Sequence, residues 1–288
     1  MEGSGPSIPS APSEADSHLD HRYPTLDIKL CTWNMATLFG GGQSRGTRLR
    51  PRWGALNKVF SRHQFIFLQE THGHEGDLTT LDDRYPDFIH FGTFCENSAA
   101  GGATISVKRS FLEGCDISSE VIHRGRCILV RVSCQELVLN TVNIHVEPSL
   151  NYADKAALLR DIIGRSRGLQ ETWIYGGDWN FTELGDDRLE LGSLRFGSRD
   201  ERLAELFDEI SGHLTEAFQP DYTRRALERG EYKGVSRLDR FYISMPPAEL
   251  RDRRPFCYTI GTVTSPKNMS DHIPVGLHLS APNASFSI

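Results

Sequence analysis

Eight polar residues stand at the ends of apolar, strand-like runs in this sequence: Asn34, Glu70, His145, Asp178, Asn180, Asp239, Asp271 and His272. Four of them are carboxylic acids. Gathered in one cleft, they would repel one another and raise one another's pKa unless a cation balanced them. Oxygen ligands without cysteine clusters suit a hard cation, Mg²⁺ before Zn²⁺. Magnesium takes one or two carboxylates and completes its shell with water and phosphate oxygens. Histidines beside such a cation would donate to a phosphate that gains negative charge during transfer.

The elements that must position these residues share one form. The stretch Trp173-Ile174-Tyr175-Gly176-Gly177-Asp178-Trp179-Asn180 reads as a short buried strand running into a glycine turn. On an extended backbone the i, i+2 spacing puts Asp178 and Asn180 on one face. The paired glycines leave room for a ligand to approach. An apolar strand with a polar tip recurs at 32–35, 67–71, 142–145 and 269–272. Each tip also has a structural reading. Asn34 reads as a turn residue, Glu70 as a solvated strand end and His145 as a histidine packed in a sheet. Asp178-Trp179-Asn180 reads as an Asx turn, Asp239 as the partner of an adjacent arginine, and Asp271-His272 as a cap before Pro274. Recurrence of one form along the chain favours a joint site.

At 288 residues and 38% hydrophobic, the chain can bury a substantial core. Residues 1–26, rich in Ser, Pro, Gly and Ala, read as a disordered leader. One domain is expected over 27–281, with a tail at 282–288. The net charge of −6 gives no overall basic footprint. Six scattered cysteines, without C-x-x-C or zinc spacing, read as reduced core thiols, which fits a nuclear or cytoplasmic location. No apolar run approaches the roughly 20 residues that span a bilayer, and no secretory signal is visible. A soluble monomer is the expectation.

Periodicity predicts strands at 28–33 and 65–68, with a Gly- and Arg-rich loop at 39–53 and a short helix to residue 60 between them. A polar loop at 72–87 is followed by strands at 88–94, 103–107, 127–132 and 137–146. Helices are predicted at 154–165 and 202–210, a strand at 172–175, a charged loop at 188–199, and closing strands at 238–243 and 273–279. The simplest architecture is α/β (α+β), with two packed mixed β-sheets flanked by helices.

The set Trp33-Asn34, Leu68-Gln69-Glu70, Gly177-Asp178-Trp179-Asn180 and Ser270-Asp271-His272 resembles the endonuclease/exonuclease/phosphatase superfamily, in the family's order, over about residues 27 to 280. That resemblance implies a four-layer sandwich and cleavage of phosphodiesters or phosphomonoesters with a divalent metal. The segment Ser236-Arg237-Leu238-Asp239-Arg240-Phe241-Tyr242-Ile243-Ser244 resembles the S-R-[IL]-D-R-hydrophobic-S motif of LINE-type retrotransposon endonucleases. Tyr222-Thr223 resembles their Tyr/Phe-Thr pair. Ile144-His145-x-x-Pro148 is closer to the pancreatic-type deoxyribonuclease pattern; retrotransposon and abasic-site enzymes commonly have Tyr there, with Asn three residues later. The inositide phosphatase branch usually has an arginine shortly after the G-D-x-N asparagine, and Phe181-Thr182-Glu183-Leu184 lacks it.

Carried over residue by residue, the resemblance implies that Glu70, helped by Asn34 and Asp271, holds Mg²⁺, with Mn²⁺ a substitute. Asp178 would orient or deprotonate the attacking water, and Asn180 would position it or a phosphate oxygen. His272 paired with Asp239, together with His145, would stabilise the transition state and the leaving oxygen. Thr223, Ser236 and Ser270 would bind substrate. Arg45, Arg48, Arg50, Arg195, Arg199, Arg224 and Arg225 lie in predicted loops, where they would track a nucleic-acid backbone. The implied activity is a Mg²⁺-dependent endonuclease acting on DNA, of retroelement derivation. The alternatives are a phosphatase or phospholipid phosphodiesterase of inositol phosphate or sphingomyelin type on the same scaffold, and a binding module without turnover.

Overall fold

The computed structural model describes residues 27–39, 46–134, 138–168, 171–228, 231–261 and 270–281, with only the backbone of 46–50. The leader at 1–26, the tail at 282–288 and Arg45 lie outside the described residues.

The chain begins with β1 (Ile28–Asn34), helix α1 (Gly46–Phe60), β2 (Phe65–Gln69), α2 (Thr79–Arg84), β3 (Phe88–Thr93) and β4 (Ala103–Lys108). It continues through β5 (Asp116–His123), β6 (Cys127–Ser133), β7 (Val138–His145), α3 (Tyr152–Gly164) and β8 (Thr172–Asp178). Then come the short β9 (Arg188–Glu190) and β10 (Arg195–Phe196), α4 (Glu201–Ile210), β11 (Thr215–Glu216), β12 (Arg224–Glu228) and β13 (Glu231–Ser236). The last elements are β14 (Asp239–Ser244), α5 (Pro247–Arg253), β15 (Phe256–Thr259) and β16 (Val275–Leu279).

Two six-stranded sheets result, ordered β15-β16-β1-β2-β4-β3 and β11-β14-β8-β7-β6-β5. Each contains one parallel pair, β1 with β2 and β7 with β8, joined by a helix. Parallel neighbours need such a crossover, whereas antiparallel ones close through short turns. Alternation along β1 explains the layering. Ile28 and Leu30 face the core between the sheets with Phe67, Val130, Ile174 and Phe241. Cys31 and Trp33 face the opposite way and pack with Leu56 and Val59 of α1. On the far side of the second sheet, Val142 and Ile144 pack with Leu159 and Ile162 of α3 and Phe207 of α4. Three apolar layers between helices, sheet, sheet and helices make the expected four-layer sandwich.

One polar clasp crosses the central layer. Gln69 Nε2 donates to Thr32 Oγ1 at 2.9 Å and to Asn143 Oδ1 at 2.6 Å. Asn143 Nδ2 in turn donates to the carbonyls of Leu68 and Thr104 at 2.9 and 2.8 Å. Buried polar groups usually find partners. Both amide nitrogens and Asn143 Oδ1 find them here, between the two sheets just behind the strand tips, whereas Gln69 Oε1 has none among the described residues.

Several elements differ from the sequence reading. The expected loop at 39–53 is helical from Gly46, because its Arg and Leu residues are good helix formers despite the Gly and Pro51 among them. Residues 75–84, read as loop, hold a 3₁₀ turn and α2. The strand that was expected to stop at Tyr175 runs on through Gly176 and Gly177 to Asp178, in register with Phe241, Arg240 and Asp239 of β14. Those glycines leave room for protein instead of ligand. A Cβ on Gly176 would strike the rings of Phe241 and Phe67, and one on Gly177 the carbonyl of Ile144. The charged segment 188–199 carries β9 and β10, part of a third sheet ordered β10-β9-β13-β12. Cys115 and Cys134 form a disulfide with a Cα–Cα distance of 4.4 Å, so these two are not reduced core thiols. Cys31, Cys95, Cys127 and Cys257 are free.

Candidate active site

The topology delivers the polar tips to one end of the sandwich. β1 and β2 are parallel, so their C-terminal residues Asn34 and Gln69 are neighbours. β7 and β8 likewise bring His145 beside Asp178. β14 runs antiparallel to β8 and starts at Asp239, opposite Asp178. His272, just before β16, presents its backbone carbonyl to Trp33 Nε1 at 3.1 Å, which ties its segment to β1.

Asp178 is the centre. Its Oδ2 accepts from Asn34 Nδ2 and from Asn180 Nδ2, both at 2.9 Å, and lies 3.7 Å from His272 Nε2. Its Oδ1 accepts from the backbone N–H of Asn180 at 3.0 Å, an Asx turn. The turn and the candidate catalytic reading therefore coexist. Asn180 reaches Asp178 from a left-handed backbone, φ 51°, instead of along an extended strand. Glu70 has φ 48°. Such conformations are uncommon outside glycine, and their grouping here marks a place where the backbone is bent to serve side-chain placement.

Asn34 also donates to Glu70 Oε1 at 3.0 Å, while its own Oδ1 accepts from Ala36 N–H at 3.0 Å. Its amide nitrogen thus faces both acids. His145 Nε2 lies 3.2 Å from Glu70 Oε1, close enough for attraction but without hydrogen-bond alignment. Among the described residues, neither ring nitrogen of this buried histidine has an aligned hydrogen-bond partner. His272 Nδ1 lies 2.8 Å from Asp239 Oδ2, and both residues are buried. Asp239 pairs with this imidazole and not with the neighbouring Arg240, whose guanidinium turns away to Asp187 and Glu183 at 2.8 and 3.1 Å.

These contacts polarise the cluster. Burial raises the Asp178 pKa, the neighbouring Asp239 adds to that, and the result stays above the ordinary value despite His272 and His145. Burial also acts to raise Glu70, but His145, the Asn34 amide and His272 outweigh it and bring its pKa down to about 2. For His272, burial opposes the charge, and Asp239 and Asp178 overcome it to lift the pKa to about 10. Perturbed carboxylates around an imidazolium are characteristic of functional sites.

Glu70, His145 and Asp178 offer ligand atoms within 4.8 Å of one another, and so do Asp178, Asp239 and His272. Two carboxylates with an orphaned imidazole fit a divalent cation. The charge balance agrees, since three carboxylic acids here face one imidazolium.

The other expected residues are placed differently. Asp271 belongs to neither group and accepts from Arg224 Nε at 3.0 Å. Thr223 is buried, and its Oγ1 accepts from Leu238 and Asp239 N–H, each at 3.0 Å. Ser270 Oγ accepts from His272 N–H at 3.0 Å. The backbone of Ser236 pairs with Thr223. These contacts set the backbone under Asp239 and His272. Of the arginines, Arg195, Arg224 and Arg225 lie on strands rather than loops. Arg195 is exposed, Arg199 pairs with Asp208, and Arg225 lies 6.0 Å over the ring of Tyr232. Arg48 and Arg50 lie in α1, and their side chains are outside the description. The roles of Gln69 and Asn143 as a clasp were not anticipated. The available signal was an amide inside the runs 65–69 and 142–144, where an unpaired polar group is costly.

No family model and no curated protein sequence matches the chain. Solved structures do. An AP endonuclease from Leishmania major superposes with a TM-score of 0.69 at 18% identity, covering 96% of this chain and 93% of that one. The chain has the fold of the endonuclease/exonuclease/phosphatase superfamily. TDP2 of D. rerio, complexed with a single-strand DNA product, matches with a TM-score of 0.61 at 16% identity, over 88% of this chain and 98% of that chain. The endonuclease domain of TRAS1, a telomere-specific non-LTR retrotransposon, matches with a TM-score of 0.60 at 14% identity, over 88% and 98%. Among the described residues, no helix is long and apolar enough to cross a membrane.

Proposed function

We propose that this chain is a metal-dependent phosphodiesterase that cuts DNA internally by attack of water on phosphorus. The observation that carries the reading is the environment of Asp178: a buried acid with raised pKa, aimed by two amides and facing an imidazolium. A carboxylate with a raised pKa is a better proton acceptor than an ordinary one, and general-base help to the attacking water is worth roughly 10²- to 10⁴-fold in rate. His272, its Nδ1 turned to Asp239, directs Nε2 toward the reacting centre. There it offsets negative charge on the phosphoryl oxygens and the leaving oxygen. His145, buried with its Nε2 3.2 Å from Glu70 Oε1, adds a further imidazole beside that carboxylate. Glu70, with Asp178 and His145 beside it, would hold the cation, Mg²⁺ with Mn²⁺ as a substitute. When bound, the cation neutralises phosphate charge and lowers the cost of attack.

DNA is the favoured substrate because the matching folds include a TDP2 solved with single-strand DNA product and an AP endonuclease. The Ser236–Ser244 segment supports derivation from a retroelement endonuclease. The chain is proposed to work as a soluble monomer in the nucleus or cytoplasm, a location that the four free cysteines favour and the Cys115–Cys134 disulfide does not. The test is nicking of supercoiled plasmid by purified protein with Mg²⁺ or EDTA, with Asp178→Asn alongside. Mg²⁺-dependent nicking that Asp178→Asn lacks is the expected result. A plasmid that stays intact across salt concentrations overturns the DNA reading, and phosphate release from inositol phosphates and phospholipids then identifies the alternative.

A further inference from the structure

The two hydroxyls expected to bind substrate on the β12 side, Thr223 and Ser270, are spent as acceptors on backbone N–H groups. Arg224 remains on that flank. It opens β12, and its backbone bridges to His272. Arg225 N–H donates to the Asp271 carbonyl at 2.9 Å, and Ile273 N–H to the Thr223 carbonyl at 2.6 Å. Those ties hold the Arg224 backbone against the segment that presents His272.

The side chain is aimed as well as anchored. Arg224 Nε donates to Asp271 Oδ2 at 3.0 Å, the side chain is 40% exposed, and its two terminal nitrogens have no partner among the described residues. Burial works against its charge, but Asp271, Asp178 and Asp239 more than compensate, which also places the guanidinium within electrostatic reach of the central acids. A site built from Glu70, Asp178 and Asp239 repels an anionic substrate. A permanently charged, planar guanidinium with two free nitrogens supplies the opposite sign in the geometry that matches phosphate oxygens.

We infer that Arg224 binds a non-bridging oxygen of the substrate's sugar–phosphate backbone, at or next to the scissile phosphate, and that Asp271 is a positioning residue that orients it. This rests on the nucleic-acid phosphodiesterase reading above.

The test uses duplexes that each carry one neutral methylphosphonate at a different position around the cut site. Wild type, Arg224→Ala, Arg224→Lys and Asp271→Asn are assayed on them with Mg²⁺. Arg224→Ala is expected to lose about 10- to 100-fold in kcat/KM on the unmodified duplex, the fold-change of one charge-assisted hydrogen bond. Wild type should be slowed at one methylphosphonate position where Arg224→Ala shows no further loss. Arg224→Lys and Asp271→Asn should retain part of that sensitivity. The inference is overturned if Arg224→Ala cleaves the unmodified duplex within twofold of wild type, or keeps the full wild-type pattern of sensitivity. Should Arg224→Ala lack a cooperative unfolding transition, Arg224→Lys decides by the same two criteria. Wild type that cleaves no duplex at all overturns the nucleic-acid reading first, and this inference with it.

Discussion

Asp239 Oδ2 and His272 Nδ1 lie 2.8 Å apart in a buried pair, although 33 residues separate them in the chain. A carboxylate behind an imidazole fixes its tautomer and favours its charged form. Asp239→Asn should keep the fold and lower the cleavage rate by at least about 10²-fold, the low end of a lost acid–base contribution. The His272 pKa, raised from 6.5 to about 10, should drop in the variant, which NMR titration of the ring reports. Stability follows the same shift. Because the folded-state pKa is raised, the pair's contribution is complete below pH 6.5 and is lost as pH rises toward 10. The gap in unfolding midpoint between wild type and Asp239→Asn, measured without metal, should therefore close over that window.

Glu70 shifts in the opposite sense. Its folded-state pKa falls from 4.5 to about 2, so its contribution is present above pH 4.5 and fades as pH drops toward 2. Glu70→Gln should abolish that acid-range difference. It should also weaken Mg²⁺ or Mn²⁺ binding by at least about 10-fold in calorimetric titration, since even supporting residues of metal sites have effects of that size. Unchanged cation affinity would remove Glu70 from the proposed cation site.

Gly177→Ala tests the packing behind Asp178. The added Cβ would collide with the Ile144 carbonyl in the neighbouring parallel strand. Overpacking of a rigid interior costs about 1–3 kcal/mol. Urea unfolding should show that loss, together with reduced activity as Asp178 shifts. A variant with wild-type stability would mean that β7 and β8 can separate at no cost.

Gln69→Leu removes the clasp between the sheets. It deprives Asn143 Oδ1 of its donor, and a buried acceptor left unpaired costs about 1–3 kcal/mol. The double variant Gln69→Leu, Asn143→Leu should recover part of this loss, and a double-mutant cycle on unfolding free energies measures the coupling.

The sandwich and the cluster of tips were legible because burial on both faces leaves long apolar runs, and a polar residue that ends such a run stands out. Phe65–Gln69 and Thr172–Asp178 are entirely buried, and their apolar parts, 65–68 and 172–175, read as strands. The third sheet was illegible for the converse reason. Arg188–Glu190 and Glu231–Ser236 are short, charged and partly exposed, and their conformation comes from pairing with each other rather than from a pattern within either segment. β5 has the same history: most of Asp116–His123 is exposed, and its place is set by pairing with β6. α1 was hidden by Gly46, Gly54 and Pro51, residues that usually end helices. That the strand-tip residues come together was legible, but the direction of their hydrogen bonds was not. Only coordinates show that Asn34 turns its amide nitrogen to two acids and that Asp271 lies beside Arg224.

Neither sheet carries the whole site. Asn34 and Glu70 come from the end of the first sheet's parallel pair, and His145 and Asp178 from the second's. A chain divided between α2 and β5 would leave Asn34 and Glu70 on one fragment and Asp178, Asp239 and His272 on the other. Each fragment would be silent alone. If the proposed activity holds, it would return only when the two meet in the native register, and turnover would then report and amplify their assembly.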